Sequence, residues 1–342
     1  CQDIELLIVG SESSVDQEKP LSTWVHRYLG LGENCRNFEV KHACYSGTVG
    51  LKMALAWAAS GMAGDKKALV INTDQSRGHF HRAWEYVMGA GAAAVLVSNK
   101  PDVLEIPIRE AGYWTDEVSD LTRPTSRVET GNTELSLLSY LNGLDGAYSH
   151  YLERLGHEID YDTYFKRNIY HTPFGGMTFL AHKAMMRRAK GKMGKEAMQA
   201  HFVKKTLPSI RYNRRMGSTY GGSTFVALAG LLAHDEEMNA GDRLSMFSYG
   251  SGSCAEFYTG YVGANARATA LAARGTELLD ERYQLSVHEY ENCERYRAAY
   301  VDEGDFVVSN DGYNDWYDRH YKGKGKLVFT GIQEHYRQYA WS

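Results

Sequence analysis

The sequence predicts an α/β protein whose first sheet is covered on both faces. Strand-like apolar runs alternate with helical patterns in the first part of the chain, which is typical of this class. The run Ile4–Val9 (IELLIV) is apolar at nearly every position, as expected for a strand in the middle of a sheet. The elements predicted here are strands over Ile4–Val9, Ala68–Asn72 and Ala92–Ser98, and helices over Pro20–Leu29 and Cys44–Ser60.

The second predicted helix, Cys44–Ser60, carries the first candidate for chemistry. The stretch MALAWAA from Met53 forms no polar stripe, so we expect the helix to be buried on all sides and to end at Gly61. Cys44 lies in its first turn, where the helix dipole and free N–H groups favour the thiolate, the nucleophilic form. The alternative is a cysteine packed in the core, since free cysteines are often buried.

The rest of the chain continues this alternation after one break. Residues 100–135 are polar, and we expect irregular structure there. Helices are predicted over Leu135–Leu155, Thr178–Arg188, Gly194–Leu207 and Thr224–His234, and apolar runs occur at Leu244–Tyr249, Ala255–Val262, Phe306–Ser309 and Lys326–Thr330.

Composition limits the class of protein. The chain has 342 residues, 43% of them hydrophobic, and a formal net charge of −4, which suits two domains or one large duplicated domain. It contains no apolar run of about 18 residues and no block of like charge, so neither a membrane nor a nucleic acid is expected as a partner. The five cysteines are scattered and form no CxxC pair, which favours a cytoplasmic location over a disulfide framework.

Two further residues suit acid–base chemistry. Glu12 lies in a Gly/Ser turn (GSESSVD) directly after the first strand, where ligands gather in α/β sheets. Partial burial there would raise its pKa and suit a general base, whereas a solvated turn glutamate is the alternative. His171, in the segment IYHTPFGGM, is either a general acid or electrophile or a hydrogen-bonded core histidine.

Several weaker signals remain. The loop FSYGSGS, which ends at Ser253, would let backbone N–H groups approach a ligand as an oxyanion hole requires, although such glycines also occur in ordinary turns. His79 and His81 have no neighbouring acidic or cysteine ligands, so no metal is expected. No P-loop, GxGxxG or GxSxG motif occurs. A basic run, which indicates a solvated face or a site for an acidic partner, comprises Lys204, Lys205, Arg211, Arg214 and Arg215.

The order and the amino-acid sequences of these segments resemble the 3-hydroxy-3-methylglutaryl-CoA (HMG-CoA) synthase family of the thiolase superfamily. The similarity covers roughly residues 4–265. It is carried by the motifs VGSESSVDQEKP, HACYSGTVGLKMAL, GAGAAAVLVS, LDGAYSHYLERL, HTPFGGM and FSYGSGSCAEFY. The resemblance implies a thiolase fold, with two similar α/β halves stacked in five layers (αβαβα), and a homodimer. The halves would comprise residues 1–125 and 126–342, with part of the first half lying upstream of residue 1.

The resemblance also assigns roles to the site residues. It implies that Cys44 takes an acetyl group from a thioester donor and that Glu12 removes a proton from the acetyl methyl group. His171 would polarise the β-ketone of the acceptor and protonate the new alkoxide. Hydrolysis of the enzyme thioester would release a 3-hydroxy-3-methylglutaryl-type product. The amides of Cys44 and Ser251 would stabilise the carbonyl oxyanion, and Tyr45 would line the pocket.

Two departures from the family pattern point to one branch of the family. CoA-using members commonly carry a lysine where this chain has Gly176, and an asparagine that contacts the acceptor thioester where it has Ser218. The resemblance therefore favours the branch that serves polyketide β-branching, in which the acetyl donor and the β-ketoacyl acceptor ride on acyl carrier proteins. Carrier proteins are acidic, so the basic run from Lys204 to Arg215 is the predicted docking surface for the carrier or its phosphopantetheine. No cofactor would be bound permanently, because acyl-phosphopantetheine or acyl-CoA is the substrate.

Three alternatives stay open at this point. An HMG-CoA synthase of primary metabolism would use acetyl-CoA and acetoacetyl-CoA for isoprenoids. A ketoacyl synthase III-like enzyme with a Cys-His-Asn triad would not use Glu12 as a base. A non-catalytic interaction protein with the thiolase fold would take no acetyl group on Cys44.

Overall fold

The chain folds into two compact units. The computed structural model describes residues 2–76, 80–309 and 314–342. The first unit comprises Cys1–Arg123 and Glu129–Arg282, and the second comprises Pro124–Val128 and Tyr283–Ser342. No helix in the described part is both long and apolar enough to cross a membrane. The boundary between two halves near residue 125 stays a prediction.

The first sheet brings the ends of parallel strands together. Its strands are β1 Ile4–Gly10, β2 Arg36–Val40, β3 Lys67–Gln75 and β4 Ala90–Val97, in the order β2-β1-β3-β4. β1 pairs in parallel with β2 and β3, and β4 runs antiparallel to β3. Leu7, Ile8 and Val9 are fully buried, which confirms the central strand. The carboxyl ends of β1, β2 and β3 therefore share one edge, the usual place for a site.

Two helices accompany this sheet, α1 Leu21–Leu29 and α2 Ser46–Ala59. The small Gly50 lets α2 approach the sheet, because a Cβ there would lie 3.2 Å from a methyl carbon of Ile8. The expectation that α2 is buried on all sides is wrong, since Met53 on its other side is 48% exposed. The helix also begins two residues later than predicted, so Cys44 precedes its first turn.

The region 100–135, predicted to be irregular, holds four short strands, and that prediction is wrong. They are β5 Leu104–Glu105, β6 Ala111–Thr115, β7 Leu121–Thr125 and β8 Val128–Gly131. β7 and β8 form a two-stranded sheet of their own. Most of their residues keep contact with solvent, so these strands lack the apolar runs that mark buried strands in a sequence.

The second sheet positions two further segments of interest. Its remaining strands are β9 Arg167–Tyr170, β10 Arg243–Gly250 and β11 Cys254–Val262. The order is β5-β11-β10-β9, with β6 also paired to β11. β9 runs parallel to β10, while β10 and β11 are antiparallel. The carboxyl ends of β9 and β10 therefore lie at the same edge.

The helices of the remaining part follow the predicted pattern. The predicted helices after residue 135 are confirmed, within a few residues at each end, as α3 Thr133–Leu155, α5 Gly175–Lys190, α6 Lys195–Lys205 and α8 Ser223–His234. An aromatic core that includes Tyr151, Tyr161, Phe165 and Phe257 is shared with buried residues of α3, α5 and α6. Besides α1, α2 and these four, the α-helices of the described part of the first unit are α4 Tyr161–Tyr164, α7 Asn213–Met216, α9 Ala266–Ala272 and α10 Gly275–Asp280.

The second unit is small. Its helix α11 Val287–Ala299 begins with a capping box in which Ser286 and Glu289 exchange hydrogen bonds between side chain and backbone. It also contains β12 Phe306–Val307, α12 Asn314–His320, β13 Leu327–Gln333 and β14 Tyr336–Trp341. The three strands form an antiparallel sheet in the order β12-β13-β14.

Candidate active site

A tight turn between β2 and α2 presents Cys44. Ala43 has a positive φ of 39°, a left-handed conformation that costs a non-glycine residue roughly 1–2 kcal/mol. The N–H of Tyr45 closes the turn by donating to the carbonyl of His42 at 2.9 Å. The turn therefore places Cys44 directly before the buried first turn of α2.

The thiol of Cys44 faces the carboxyl group of Glu12. It donates to Glu12 Oε2, with 3.2 Å between the two heavy atoms. Burial raises the pKa of Glu12 to about 8, and the neighbouring Asp74 adds to the effect. Burial, and next the Glu12 carboxyl, also raises the pKa of Cys44 well above its ordinary value. The expectation of a resting thiolate is therefore wrong, because burial outweighs the helix dipole.

A buried aspartate holds the turn that carries Glu12. Asp74 lies near the end of β3. Its Oδ1 accepts from Ser11 Oγ, the Glu12 N–H and Ser13 Oγ at 3.1, 2.8 and 2.9 Å. Burial raises the pKa of Asp74 to about 6, against the effect of these donors. The sequence analysis missed Asp74, although its place after the apolar run of β3 is a signal that could have identified it.

His171 follows β9 and is buried. Its backbone N–H donates to the backbone carbonyl of Phe247 on β10 at 2.8 Å. Burial lowers the pKa of His171 to about 3, so the ring is neutral. The ring Nδ1 lies 2.7 Å from Ser223 Oγ, which also accepts from the Thr172 N–H at 3.1 Å. Within the described residues Nδ1 is the only acceptor in reach of the Ser223 hydroxyl, so Ser223 donates to Nδ1 and the ring proton sits on Nε2.

The start of α8 contacts both Cys44 and His171. Ser223, its first residue, bonds the histidine. Gly221 lies so close to the turn that carries Cys44 that a Cβ there would be 3.0 Å from the Cys44 carbonyl oxygen. A Cβ on Gly47 in α2 would be 2.8 Å from a phenylalanine ring of α8. These close approaches bring both Cys44 and His171 to the short segment 221–223.

The glycine-rich loop lies against the turn that carries Cys44. A Cβ on Gly250 would be 2.6 Å from the Tyr45 nitrogen and 2.8 Å from the His42 carbonyl oxygen, so only glycine fits there. In the part of the chain that the structure describes, the N–H groups of Cys44 and Ser251 have no hydrogen-bond acceptor. Two unsatisfied donors in adjoining segments are what an oxyanion site needs.

A second buried aspartate fixes this loop. Asp120 is fully buried and accepts from the Gly252 N–H at 3.0 Å and from the Tyr249 hydroxyl at 2.9 Å. It precedes β7, in the region predicted to be irregular. No sequence signal marked it, because its partners are distant in the chain.

Comparison with known proteins identifies the family. The family described as hydroxymethylglutaryl-coenzyme A synthase C terminal matches residues 177–339. The polyketide biosynthesis 3-hydroxy-3-methylglutaryl-ACP synthase PksG of Bacillus subtilis (strain 168) is 41% identical over 298 residues, which cover 84% of this chain and 70% of PksG. The chain belongs to the HMG synthase family.

Other HMG synthases support this assignment. The hydroxymethylglutaryl-CoA synthase of Enterococcus faecalis is 33% identical over 290 residues, covering 84% of this chain and 73% of that protein. The curacin biosynthetic pathway HMG synthase is 39% identical with a TM-score of 0.93, and its complex with acetyl donor-ACP is 38% identical with a TM-score of 0.92. Both matches cover 100% of this chain and 83% of the other. The thiolase fold and the resemblance are thereby confirmed, and the protein is a condensing acyltransferase of the HMG synthase type.

A buried ion pair anchors Tyr45 of this HMG synthase. The Tyr45 hydroxyl donates to Glu256 Oε2 at 2.6 Å, and Glu256 Oε1 lies 2.9 Å from Lys52 Nζ. The Lys52 ammonium also lies 4.0 Å from the ring centre of Tyr258. Burial lowers the pKa of Lys52 in spite of its partner. Tyr45 is held by its hydroxyl group, and its role in lining the pocket stays a prediction.

The two departures from the CoA-using pattern lie in different settings. Ser218 is buried and donates its N–H to the Val87 carbonyl at 2.8 Å. Gly176 is exposed in the first turn of α5, beside the exposed ring of Phe174. Glycine has no side chain, so this position offers no charge to a substrate.

Two of the predicted docking residues lie away from the site. The Lys205 ammonium donates to the Phe165 carbonyl at 2.8 Å, just before the amino end of β9. His171 follows the carboxyl end of that strand, about 13 Å further along at 3.3 Å per residue. Lys204 and Lys205 line a groove of about 490 Å³ at this far edge, together with Lys166 and Arg243.

The three predicted docking arginines lie in or just before α7, and Arg211 interacts electrostatically with His234 at the carboxyl end of α8. Asn213 in α7 donates to the Ser223 carbonyl at 2.9 Å, which ties α7 to the start of α8. Arg211 and Arg214, around it, are exposed, whereas Arg215 pairs with Asp280 at 2.7 Å. The predicted basic run is thus divided between two places.

The described residues contain no group of three or more His, Cys, Asp or Glu side chains arranged to hold a metal ion. His79, which was considered with His81 in the sequence, lies outside the described residues.

Proposed function

We propose that this HMG synthase joins an acetyl group to the β-ketone of a β-ketoacyl thioester carried by an acyl carrier protein. Partner enzymes would convert the HMG-type product to a β-methyl branch in polyketide biosynthesis. The names of PksG and of the curacin synthase, which forms a complex with acetyl donor-ACP, support this proposal. The observation that carries the chemistry is the 3.2 Å contact between the Cys44 thiol and the Glu12 carboxyl.

Acetyl transfer to Cys44 is the first step. Glu12 accepts the thiol proton as the sulfur attacks the donor thioester, and the proton passes on to the departing phosphopantetheine thiolate. The developing oxyanion binds the N–H groups of Cys44 and Ser251, which have no other acceptor among the described residues. Burial raises the pKa of both Cys44 and Glu12, so acetyl transfer runs through the ionised fraction of Glu12, and the thiol gives its proton to this carboxylate only as the sulfur attacks the donor carbonyl.

The condensation step needs Glu12 as a carboxylate. It removes a proton from the methyl group of the acetyl thioester, and the enolate attacks the ketone carbon of the acceptor. Because the pKa of Glu12 is raised to about 8, the ionised fraction grows as the pH rises through that value. Condensation should therefore accelerate over the same pH range.

His171 serves the acceptor. With its proton on Nε2, the neutral ring donates a hydrogen bond to the ketone oxygen and passes this proton to the new alkoxide, and the proton that Glu12 removed from the acetyl methyl group replaces it. Hydrolysis of the enzyme thioester then releases the product and restores the Cys44 thiol.

Carrier-bound substrates suit this chain better than free CoA. Gly176 and Ser218 replace the family's CoA-contacting lysine and the asparagine that contacts the acceptor thioester, and the exposed Arg211 and Arg214 offer positive charge to an acidic carrier protein. The thioester substrate brings its own phosphopantetheine, so no bound cofactor is required. The homodimer and the cytoplasmic location remain predictions.

Substrate preference tests the proposal. The kcat/KM for a β-ketoacyl carrier protein should exceed that for acetoacetyl-CoA. Efficient use of acetoacetyl-CoA with no gain from the carrier would instead indicate an enzyme of primary metabolism. An unimpaired Glu12→Gln variant would support a ketoacyl synthase III-like enzyme.

Charge reversal locates the docking surface. The variants Arg211→Glu/Arg214→Glu and Lys204→Glu change the two parts of the basic run separately. The variant in the part that contacts the carrier should show a raised KM for the carrier protein. Its KM for a pantetheine thioester should stay unchanged. If neither variant changes the KM, carrier docking at the basic run is ruled out.

A further inference from the structure

A buried arginine contacts the residue proposed as the base. Arg123 lies in β7, and its side chain is 17% exposed. Its Nη1 donates to the backbone carbonyl of Glu12 at 3.1 Å, and its Nη2 lies 3.8 Å from Glu12 Oε1. One guanidinium group therefore tethers the backbone of Glu12 and places a positive charge beside its carboxyl group.

Glu129 holds this arginine in place. Its Oε2 accepts from Arg123 Nε at 2.9 Å and also contacts Nη2. The side chain of Glu129 is only 5% exposed, so water screens the pair weakly. The two residues lie on β7 and β8, the paired strands of one hairpin, and a planar guanidinium bound at two nitrogens has a fixed orientation.

The other groups that face Glu12 come from four further segments. Asp74 on β3 and Glu129 on β8 disfavour its charged form, whereas the Cys44 thiol favours it by donating a hydrogen bond. Tyr220, before α8, also interacts with it electrostatically. Arg123 is the cation that opposes burial and these carboxylates.

We propose that Arg123, clamped by Glu129, is the positioning residue that holds Glu12 beside Cys44 and keeps its carboxyl group available as a carboxylate. This inference deepens the proposed function and rests on it for the role of Glu12. Without the guanidinium, no cation would oppose the effects of burial and of the Asp74 carboxyl on Glu12. Glu12 would then keep its proton up to a higher pH. The arginine thereby allows a deeply buried carboxyl to act as a base near neutral pH.

The two partners should shift the titration of Glu12 in opposite directions. An opposite charge within about 4–6 Å lowers a carboxyl pKa by roughly 1–3 units, so Arg123→Gln should raise the pKa of Glu12 by that amount. Glu129→Gln removes a negative charge while its amide oxygen can still accept from Arg123, so this variant should lower the pKa of Glu12. Arg123→Lys keeps the charge and should restore much of the wild-type value. A merely structural role would not produce shifts of opposite sign.

Infrared difference spectroscopy measures this titration in the resting enzyme, without substrate. The C=O band of protonated Glu12 is assigned by its loss in Glu12→Gln, and its pH midpoint is then followed in each variant. Arg188→Gln, which breaks an arginine–carboxylate pair with Asp145 elsewhere, is the matched control and should leave the midpoint unchanged. Unmoved midpoints in Arg123→Gln and Glu129→Gln, or shifts in the same direction, would overturn the inference.

The pH profile of turnover separates this inference from the proposed function. If the infrared midpoints shift as expected and the profile moves with them, both are supported. If the midpoints shift but the profile does not, Arg123 still governs Glu12, and the role of Glu12 as the base fails.

Discussion

The buried ion pair beside Tyr45 gives a prediction whose size follows from burial. Glu256 is fully buried, and its carboxylate has two partners, the Lys52 ammonium and the Tyr45 hydroxyl. Lys52→Met keeps a similar apolar stem but leaves the carboxylate without its counter-charge. Removing one partner of a buried pair costs about 3–5 kcal/mol, because the remaining charge stays buried and uncompensated.

The expected change in melting temperature follows from the size of the unit. The first unit has roughly 280 residues, and unfolding entropy is about 2.1 cal/mol/K per residue, so 1 kcal/mol corresponds to about 1.7 °C. Lys52→Met should therefore lower the Tm by about 5–9 °C in differential scanning calorimetry. Glu256→Gln should also lower it, since Lys52 then loses its counter-charge.

The double variant Lys52→Met/Glu256→Gln provides the control. It removes both charges and keeps an amide oxygen to accept from Tyr45, so it should recover most of the loss. A Tm for Lys52→Met within about 1 °C of the wild type would refute the reasoning. So would a double variant in which the two losses simply add.

Two further variants test the geometry of the site. Ser223→Ala removes the donor to Nδ1 of His171, so the ring loses its fixed tautomer. We expect ¹⁵N NMR to show mixed tautomers and kcat to fall at least tenfold. An unchanged tautomer would contradict the assignment of the ring proton to Nε2. Gly250→Ala places a Cβ 2.6 Å from the Tyr45 nitrogen and must displace backbone; acetylation of Cys44 should slow by an order of magnitude or more, and a wild-type rate would show that the loop does not set the oxyanion site.

Much of the fold could be predicted from the hydrophobic periodicity of the sequence and from the order of its motifs. The apolar runs of β1 and β3 and the helical patterns of α3, α5, α6 and α8 could be predicted because these elements bury long apolar faces. The short strands β5–β8 could not, since they are partly exposed, and β5 and β6 are stabilised by pairing with the distant β11. The exposed side of α2 was also missed, because an apolar composition does not tell which face meets the sheet.

The candidate site divides in the same way. Glu12, Cys44 and His171 could be predicted from the sequence. Glu12 follows a strand, Cys44 lies near the start of a helix, and all three lie in motifs that resemble those of the family. Asp74 and Arg123 were not predicted, because Glu12, which both of them contact, lies more than 60 residues away from each along the chain. The protonation of Cys44 was misjudged for a related reason: the helix dipole is visible in a sequence, whereas the burial and the carboxyl group that oppose it appear only in three dimensions.

Intact-mass analysis of the acetylated enzyme tests the central claim most directly. After exposure to an acetyl carrier protein, one acetyl group should appear on Cys44 of the wild type and be absent in Cys44→Ala. Glu12→Gln should still gain some acetyl label, more slowly, yet fail to form product when the β-ketoacyl carrier is added, because enolate formation needs the carboxylate. No acetyl group on wild-type Cys44, or product formation by Glu12→Gln at the wild-type rate, would contradict the account.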